Sequence, residues 1–222
     1  MPAEPVSISI ADGGAVSGLW QAPEGARACL VLAHGAGAGM NHRSMTAIAD
    51  GLERRGVASL RYQFPYMERG SGRVDPPPVA HAAVRAAAAK ARELGPNLAL
   101  FAGGRSFGGR MTSQAQALAP LDGVRGLVFF GFPLHPAGKP SIERAAHLSK
   151  VAIPMLFVSG TRDALAELDL LQGVVTGLGK GATLQLIAEA DHSFHVPAKT
   201  GRKDPEVLEE ALAGVAAWMQ RL

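Results

Sequence analysis

Apolar and polar positions follow two alternating patterns along the chain. Near-continuous apolar runs of six or seven residues are typical of strands covered on both faces, and they alternate with helical stretches. The runs predict strands over 28–33, 57–62, 97–102, 124–130, 153–158 and 182–188. Helices are expected over 43–55, 79–93, 107–118, 142–150, 164–177 and 205–221.

The chain begins with a different pattern. Segments 6–10 and 15–20, separated by Asp12-Gly13-Gly14, indicate a β-hairpin. The alternation that follows predicts an α/β fold with a mostly parallel, doubly wound sheet and helices on both faces. No linker or repeat interrupts the pattern, so we expect a single domain over 1–222. Its long connections, 63–78 and 131–141, are where function is expected.

Composition narrows the class of protein. A hydrophobic content of 47% with 18% charged residues is incompatible with disorder, and a single cysteine excludes a disulfide framework and a cysteine-rich zinc site. The net charge is +3, but the basic residues are scattered, so we expect no nucleic-acid partner. No signal peptide or membrane-length apolar run is evident, which predicts a cytoplasmic protein without a membrane partner.

A candidate nucleophile lies at the end of a predicted strand. Gly104-Arg105-Ser106-Phe107-Gly108 matches G-x-S-x-G and opens a predicted helix, which is the strand–turn–helix context of a nucleophile elbow. The sharp turn is expected to bring Gly104 and Gly108 together, so that both must lack bulk. An ordinary glycine turn is the alternative interpretation.

An acid and a histidine follow in the next strand-end loops. Asp163 comes after strand 153–158 and His192 after strand 182–188, so with Ser106 they have the chain order Ser, Asp, His that is expected when the serine lies on a nucleophile elbow. Asp163 is preferred to Asp191, because a neighbour of the histidine cannot easily reach across to orient its ring. The alternatives are a helix N-cap for Asp163 and a surface imidazole for His192.

Backbone donors for an oxyanion are expected in the glycine-rich run after strand 28–33. The N–H of Ala36 there and the N–H of Phe107 at the head of the elbow helix would both face the cavity beside Ser106. Candidate pocket residues lie in the long connections and beside the histidine. They are Tyr62, Phe64, Tyr66, Leu134, His135 and His195. Loop anchoring is an equal alternative for the aromatic residues.

Three alternative functions would explain some of these sequence features. The run Gly35–Gly39 with Arg61 resembles a dinucleotide-binding opening, but Met40 stands where G-x-G-x-x-G requires glycine. His192 and His195 form H-x-x-H, yet they lie on a loop without further evident ligands, so no metal is expected. A non-catalytic binding module with the same fold is the third alternative.

The motifs HGAGAGM, GGRSFGGRM, GTRD and ADHSFH, in this order, resemble a small lidless α/β-hydrolase of the dienelactone-hydrolase-like kind. The segments RYQFPYMERG and FFGFPLHPAGKP resemble the bacterial branch related to vertebrate testis-expressed and chromatin-complex hydrolase-like proteins. The resemblance implies an eight-stranded sheet with Ser106, Asp163 and His192 as the triad.

This chain departs from the family at one position and is short at another. True dienelactone hydrolases have cysteine where this chain has Ser106. Members with lids commonly insert a cap of several dozen residues where this chain has only 131–152. We therefore expect a serine esterase without a cap domain or cofactor. Its partner would be a small ester-like substrate, with thioesters and lactones as related chemistry.

Overall fold

The protein is built on one central β-sheet. A computed structural model describes residues 2–11 and 14–222, so Asp12 and Gly13 of the predicted hairpin lie outside the described residues. The sheet has the strand order β1-β2-β4-β3-β5-β6-β7-β8. Its strands are β1 (Glu4–Ser9), β2 (Ala15–Gln21), β3 (Ala28–Ala33), β4 (Val57–Tyr62), β5 (Ala99–Arg105), β6 (Val124–Phe130), β7 (Met155–Gly160) and β8 (Ala182–Ile187). The helices are α1 (Arg43–Glu53), α2 (Pro65–Glu68), α3 (Pro77–Leu94), α4 (Phe107–Leu118), α5 (Leu168–Leu178) and α6 (Asp204–Met219), with 3₁₀ helices at Glu143–Lys150, Gly179–Gly181 and Ala198–Thr200.

The strand directions confirm the predicted doubly wound arrangement. β1 pairs antiparallel with β2, and β2 pairs antiparallel with β4, whereas the six strands from β4 to β8 run parallel. β3 lies between β4 and β5, so the strand order reverses at β3. In such sheets, ligands bind beyond the carboxyl ends of the strands at the point of reversal.

Helices cover both faces of the sheet and form two apolar cores. α1 and α6 contribute to the first core, which also contains Leu30 and Leu32 of β3. α3, α4 and α5 contribute to the second core, which contains Cys29 and Val31 of the same strand. Since successive strand residues point to opposite faces, a strand buried on both sides needs a continuous apolar run. The runs in the sequence have this physical cause.

Two strands extend further toward their carboxyl ends than the apolar runs predicted. β5 ends at Arg105 rather than at 102, and β7 ends at Gly160 rather than at 158. Glycine is required at position 103, because a Cβ there would lie 1.8 Å from the Val128 carbonyl oxygen of β6. The extension places Ser106 directly after the last residue of a strand that is paired on both sides.

The connections within residues 2–11 and 14–222 are compact and contain no cap domain. Residues 131–154 hold one regular element, Glu143–Lys150, which is a 3₁₀ helix rather than the predicted α-helix. It buries only Ala145 and Leu148, a spacing of three that suits the 3₁₀ repeat. α2 in the connection after β4 was not predicted. Among the described residues, no helix is long and apolar enough to cross a membrane.

Candidate active site

Ser106 occupies a sharp turn between β5 and α4, as the G-x-S-x-G pattern predicted. Its φ of 51° and ψ of −115° form a strained conformation for a non-glycine residue. The Ser106 N–H donates to the carbonyl oxygen of Phe130 at 3.0 Å, which ties the turn to the end of β6. Strain of this kind concentrates at functional sites, where the surrounding structure holds it in place.

The flanking glycines are required by the neighbouring strand β3. A Cβ on Gly104 would lie 2.4 Å from the Ala33 carbonyl oxygen. A Cβ on Gly108 would lie 2.6 Å from the carbonyl oxygens of both Ala33 and His34. The crowding expected between the two glycines is therefore crowding of each against the end of β3. The motif lets the elbow approach the start of the glycine-rich loop.

Three side chains meet beyond the strand ends in one hydrogen-bonded row. His192 Nε2 lies 2.9 Å from Ser106 Oγ, and His192 Nδ1 lies 2.8 Å from Asp163 Oδ2. The Asp163 side chain is fully buried, whereas 20% of the His192 side chain is exposed. The row thus runs from a buried carboxylate to a ring that solvent can reach.

The contacts of Asp163 determine the orientation of the His192 ring. A carboxylate accepts, so Nδ1 of His192 carries the proton and Nε2 has a free lone pair toward the Ser106 hydroxyl. The second Asp163 oxygen accepts from the Leu165 N–H at 2.8 Å, which holds the carboxylate in place. Gly131 lies behind the ring, because a Cβ there would come within 3.2 Å of His192 Nδ1 and Cε1. The ring is held from two sides.

Asp191 has a different environment. Its Oδ1 accepts from the N–H groups of Ser193 and His195, at 2.7 and 3.0 Å, so its carboxylate shapes the loop that carries His192. The helix N-cap alternative for Asp163 does not apply, since the N-cap of α5 is Glu167. Of the two acids considered from the sequence, Asp163 is the one that contacts the ring.

The expected oxyanion donors lie beside Ser106. A Cβ on Gly35 would be 3.7 Å from the Ser106 Cβ, so the loop after β3 runs against the elbow. Ala36 is exposed, and Phe107 is the first residue of α4. Within the described residues, neither the Ala36 N–H nor the Phe107 N–H has a hydrogen-bond partner. A role for these two N–H groups in binding an oxyanion stays a prediction.

Two residues support this loop: His34, which the sequence analysis did not single out, and Tyr66, which it named as a pocket or loop-anchoring candidate. His34 is fully buried, and burial lowers its pKa, so its ring stays neutral. Its Nδ1 donates to the Gly35 carbonyl oxygen at 2.8 Å, and its Nε2 accepts from the Phe64 N–H at 3.0 Å. The hydroxyl of Tyr66, the other residue, accepts from the Gly37 N–H at 3.3 Å. The contacts bridge long sequence separations, so no local signal reveals them.

The connection after β4 is ordered around a buried carboxylate. Asp75, only 4% exposed, accepts from the Tyr66 N–H at 2.8 Å and from Arg69 Nη2 at 2.7 Å. This pairing fixes α2 and, through the Tyr66 hydroxyl, the glycine-rich loop. The connection after β4 therefore helps to hold the glycine-rich loop in place beside the site.

The candidate pocket residues fall into two groups. Tyr62, Phe64, Tyr66, Leu134 and His135 are each 0% exposed. Tyr62 is the last residue of β4 and does not lie in the connection after it, where it was predicted. The burial of the other four favours the anchoring role for the two long connections, and lining a pocket stays a prediction. The His135 and Leu134 N–H groups donate to the Leu165 carbonyl oxygen, beside the loop of Asp163.

The exposed candidate, His195, pairs with Asp204. Its Nδ1 lies 2.9 Å from Asp204 Oδ2, and this carboxylate raises the pKa of His195. The two histidines of H-x-x-H thus have different carboxylate partners, and in the described part of the chain no three His, Cys, Asp or Glu side chains converge as metal ligands would.

Arg61, invoked for the dinucleotide alternative, is only 3% exposed. Its guanidinium donates to Thr46 Oγ1, Gln21 Oε1 and the Met40 carbonyl oxygen. An arginine that reads a ribose phosphate must face the ligand, so the burial of Arg61 argues against that alternative.

Comparison with known proteins identifies the family and the fold. A protein-family model described as an alpha/beta hydrolase domain matches residues 26–220. The chain is similar to a dienelactone hydrolase from Anabaena variabilis, with a TM-score of 0.79, 20% identity, and coverage of 99% of this chain and 97% of that chain.

Two further solved structures are similar. An alpha-beta serine hydrolase homologue from Coxiella burnetii has a TM-score of 0.77 and 20% identity, covering 96% of this chain and 98% of that one. A serine hydrolase without a lid from Xanthomonas campestris has a TM-score of 0.74 and 21% identity, covering 98% and 95%. At such identities the likeness establishes the fold.

Proposed function

The chain belongs to the α/β-hydrolase domain family, and on this premise we propose that it is a serine hydrolase. It cleaves small carboxylic esters, or thioesters and lactones, through an acyl-enzyme intermediate. The observation that carries the proposal is the row of hydrogen bonds from Ser106 through His192 to Asp163. A hydroxyl, a base and an orienting carboxylate in this order are what acyl transfer requires.

Acylation begins with proton transfer within the row. As Ser106 Oγ attacks the carbonyl carbon of the substrate, His192 Nε2 accepts the hydroxyl proton, and Asp163 stabilises the imidazolium. The carbonyl oxygen becomes an oxyanion between the Ala36 and Phe107 N–H groups. The bond to the leaving oxygen or sulfur then breaks, and that atom takes the proton from His192.

Deacylation repeats the sequence with water. His192 Nε2 removes a proton from a water molecule, the hydroxide attacks the acyl carbon, and the proton returns to Ser106 Oγ as the ester bond breaks. The same two backbone donors hold the second oxyanion. Because they are fixed in advance, they stabilise the charge without reorganisation, and removing one such donor in other enzymes costs about 10²–10³ in rate. The mechanism needs no metal or cofactor.

The absence of a cap between β6 and β7 supports a preference for small substrates. A site open to solvent offers little apolar surface for a long acyl chain. The solved structures similar to this chain include a serine hydrolase without a lid and a dienelactone hydrolase. Short-chain esters are therefore the substrates to examine first.

Turnover of short-chain aryl esters tests the proposal. Purified protein should hydrolyse them, and acid quenching during turnover should trap an acyl group whose mass maps to the peptide that contains Ser106. Ser106→Ala serves as the blank. Hydrolysis that persists in a folded Ser106→Ala variant would contradict the assignment of the nucleophile.

A further inference from the structure

Arg105, the residue before the nucleophile, has contacts that the acyl-transfer mechanism does not use. Its Nη1 donates to Ser44 Oγ at 2.7 Å, and its Nη2 donates to Ser193 Oγ at 3.0 Å. Ser44 lies in the first turn of α1, and Ser193 directly follows His192. One guanidinium thus joins two elements that are distant in sequence.

The three joined elements are those that must assemble for catalysis. Arg105 ends β5 and is covalently adjacent to Ser106. Ser193 belongs to the loop that carries His192, and α1 follows the glycine-rich loop that carries Ala36. The guanidinium therefore spans the nucleophile, the histidine loop and the segment of the oxyanion donors. Two hydrogen bonds from a planar, rigid fork fix distance and direction together.

The electrostatic environment of Arg105 also places its guanidinium near the histidine loop and the loop of Asp163. Burial lowers the pKa of Arg105, while the charges of Asp163 and Asp191 oppose this shift, so the guanidinium stands near both carboxylates. Among the described residues it forms no ion pair, whereas other arginines pair directly with carboxylates. Because this partly buried guanidinium binds two serine hydroxyls, its contacts hold chain segments in place rather than neutralise a carboxylate.

A surface cavity of about 560 Å³ gives access to this guanidinium. Arg105, Ser44 and Ser193 line it, together with apolar residues of α1 and α6. The cavity lies on the side of Arg105 away from α4 and is not lined by Ser106 or His192. Truncation of the Arg105 side chain would therefore enlarge a space that small solutes can enter.

We propose that Arg105 is a positioning residue that clamps the histidine loop and the start of α1 to the nucleophile elbow, so that His192 Nε2 stays within hydrogen-bond reach of Ser106 Oγ. The inference rests on the proposed function. It assigns a role to the variable second position of G-x-S-x-G in this chain. It also assigns Ser193 and Ser44 as the two anchors.

The rate at which Ser106 reacts covalently with a fluorophosphonate reports how well Arg105 keeps His192 in position. Arg105→Met removes both hydrogen bonds while keeping much of the side-chain volume. Because a displacement of about 1 Å near the chemistry can cost about 10²-fold, the labelling rate should fall roughly tenfold to a hundredfold. Ser193→Ala should lower it in the same direction, and adding Ser193→Ala to Arg105→Met should cost nothing further, because the shared contact is already lost.

Arg55→Met is the matched control. Arg55, which follows the C-terminus of α1, also joins two elements: it donates to the Gly51 carbonyl oxygen of α1 and to the carboxylate and carbonyl oxygens of Glu209 in α6, but it lies away from the site. Both variants should lower the melting temperature. Labelling is measured well below both melting points, so that only the Arg105 variant should react slowly.

Two further readouts separate positioning from simple stability. Arg105→Lys keeps the charge but cannot span both hydroxyls, so it should react slowly with an unchanged pH profile. In Arg105→Ala, guanidinium ions at millimolar concentration should restore part of the labelling rate through the cavity.

The outcomes distinguish this inference from the function on which it rests. A wild-type protein that is not labelled overturns the proposed function and the clamp together. A labelled wild type with Arg105→Met reacting as fast as Arg55→Met overturns the clamp alone. Equal acceleration of Arg105→Ala and wild type by guanidinium would also contradict it.

Discussion

Gly108 provides a quantitative test of how the elbow depends on its glycines. In Gly108→Ala the new Cβ would stand 2.6 Å from the Ala33 and His34 carbonyl oxygens, whereas ordinary contact begins at 3.4 Å. The end of β3 and the start of α4 must therefore separate by about 0.8 Å. Since both obstacles are backbone atoms, no side-chain rotation relieves the clash. The loop that follows His34 must move with it.

The expected cost follows from two opposing effects. Overpacking of this kind typically lowers the free energy of unfolding by about 1–3 kcal/mol, whereas replacing a helical glycine with alanine raises it by up to about 1 kcal/mol. A net loss of about 1–2 kcal/mol lowers the melting temperature of a chain of this size by roughly 2–8 °C. Displacement of the oxyanion segment by nearly 1 Å should lower kcat/KM about 10²-fold, well beyond the effect on stability.

Gly173→Ala is the control for this prediction. Gly173 is an exposed glycine of α5 with nothing within 4 Å of a built Cβ, so alanine there should stabilise the protein by about 0.5–1 kcal/mol and leave turnover unchanged. Thermal unfolding and ester hydrolysis are measured for both variants. A Gly108→Ala variant that matches Gly173→Ala in both measurements would refute the explanation of the motif.

Three other predictions concern the acid, the pH range and the substrate. Asp163→Asn should lower kcat by about 10⁴, as loss of an orienting carboxylate does in well-studied triads, while Asp191→Asn should be mild because an amide oxygen still accepts from the loop; the reverse ranking would overturn the assignment. Burial, with the charges of Arg110 and His81, lowers the pKa of His147 from 6.5 to about 4. As pH drops through that range, the imidazole of the unfolded chain is protonated before that of the folded protein, so the free energy of unfolding should fall. Denaturant titrations between about pH 4 and 6.5 should show that the free energy of unfolding depends less steeply on pH in His147→Gln than in the wild type. The difference in slope should be at most about 1.4 kcal/mol per pH unit, and less because the ring is only partly buried. Equal slopes in the two proteins would contradict this prediction. Acyl chains of about two to six carbons should react fastest without interfacial activation, and a preference for chains of twelve or more would contradict the open site.

The strands and the order of the site residues could be predicted because they depend on local pattern. Buried strands must be apolar on both faces, and parallel strands must end at one edge, so the loops after β5, β7 and β8 had to meet. The predicted ends of β5 and β7 were wrong in the same direction. Both strands continue through glycine, as at Gly103 and Gly160, where the close approach of a neighbouring backbone excludes a side chain. Glycine looked like a strand terminator because the sequence does not show that neighbour.

The supporting contacts could not be predicted, because they join positions far apart in the chain. His34 contacts Phe64, Tyr66 contacts Gly37, and Arg105 contacts Ser193 across 88 positions. None of these pairs has a periodicity or spacing that marks it. Likewise, α5 begins at Leu168 rather than at 164, because the preceding residues form the loop that holds Asp163. Tertiary contacts at the site overrode the local helical preference.

Covalent labelling of wild type and Ser106→Ala by a fluorophosphonate decides whether Ser106 is the nucleophile. The probe reacts with an activated serine and needs no knowledge of the natural substrate. The assignment of Ser106 as the nucleophile predicts one adduct on the wild-type protein, mapped by peptide mass spectrometry to Ser106, and none on a Ser106→Ala variant with an unchanged melting profile. An adduct at another residue, or a folded wild type that does not react, would contradict it.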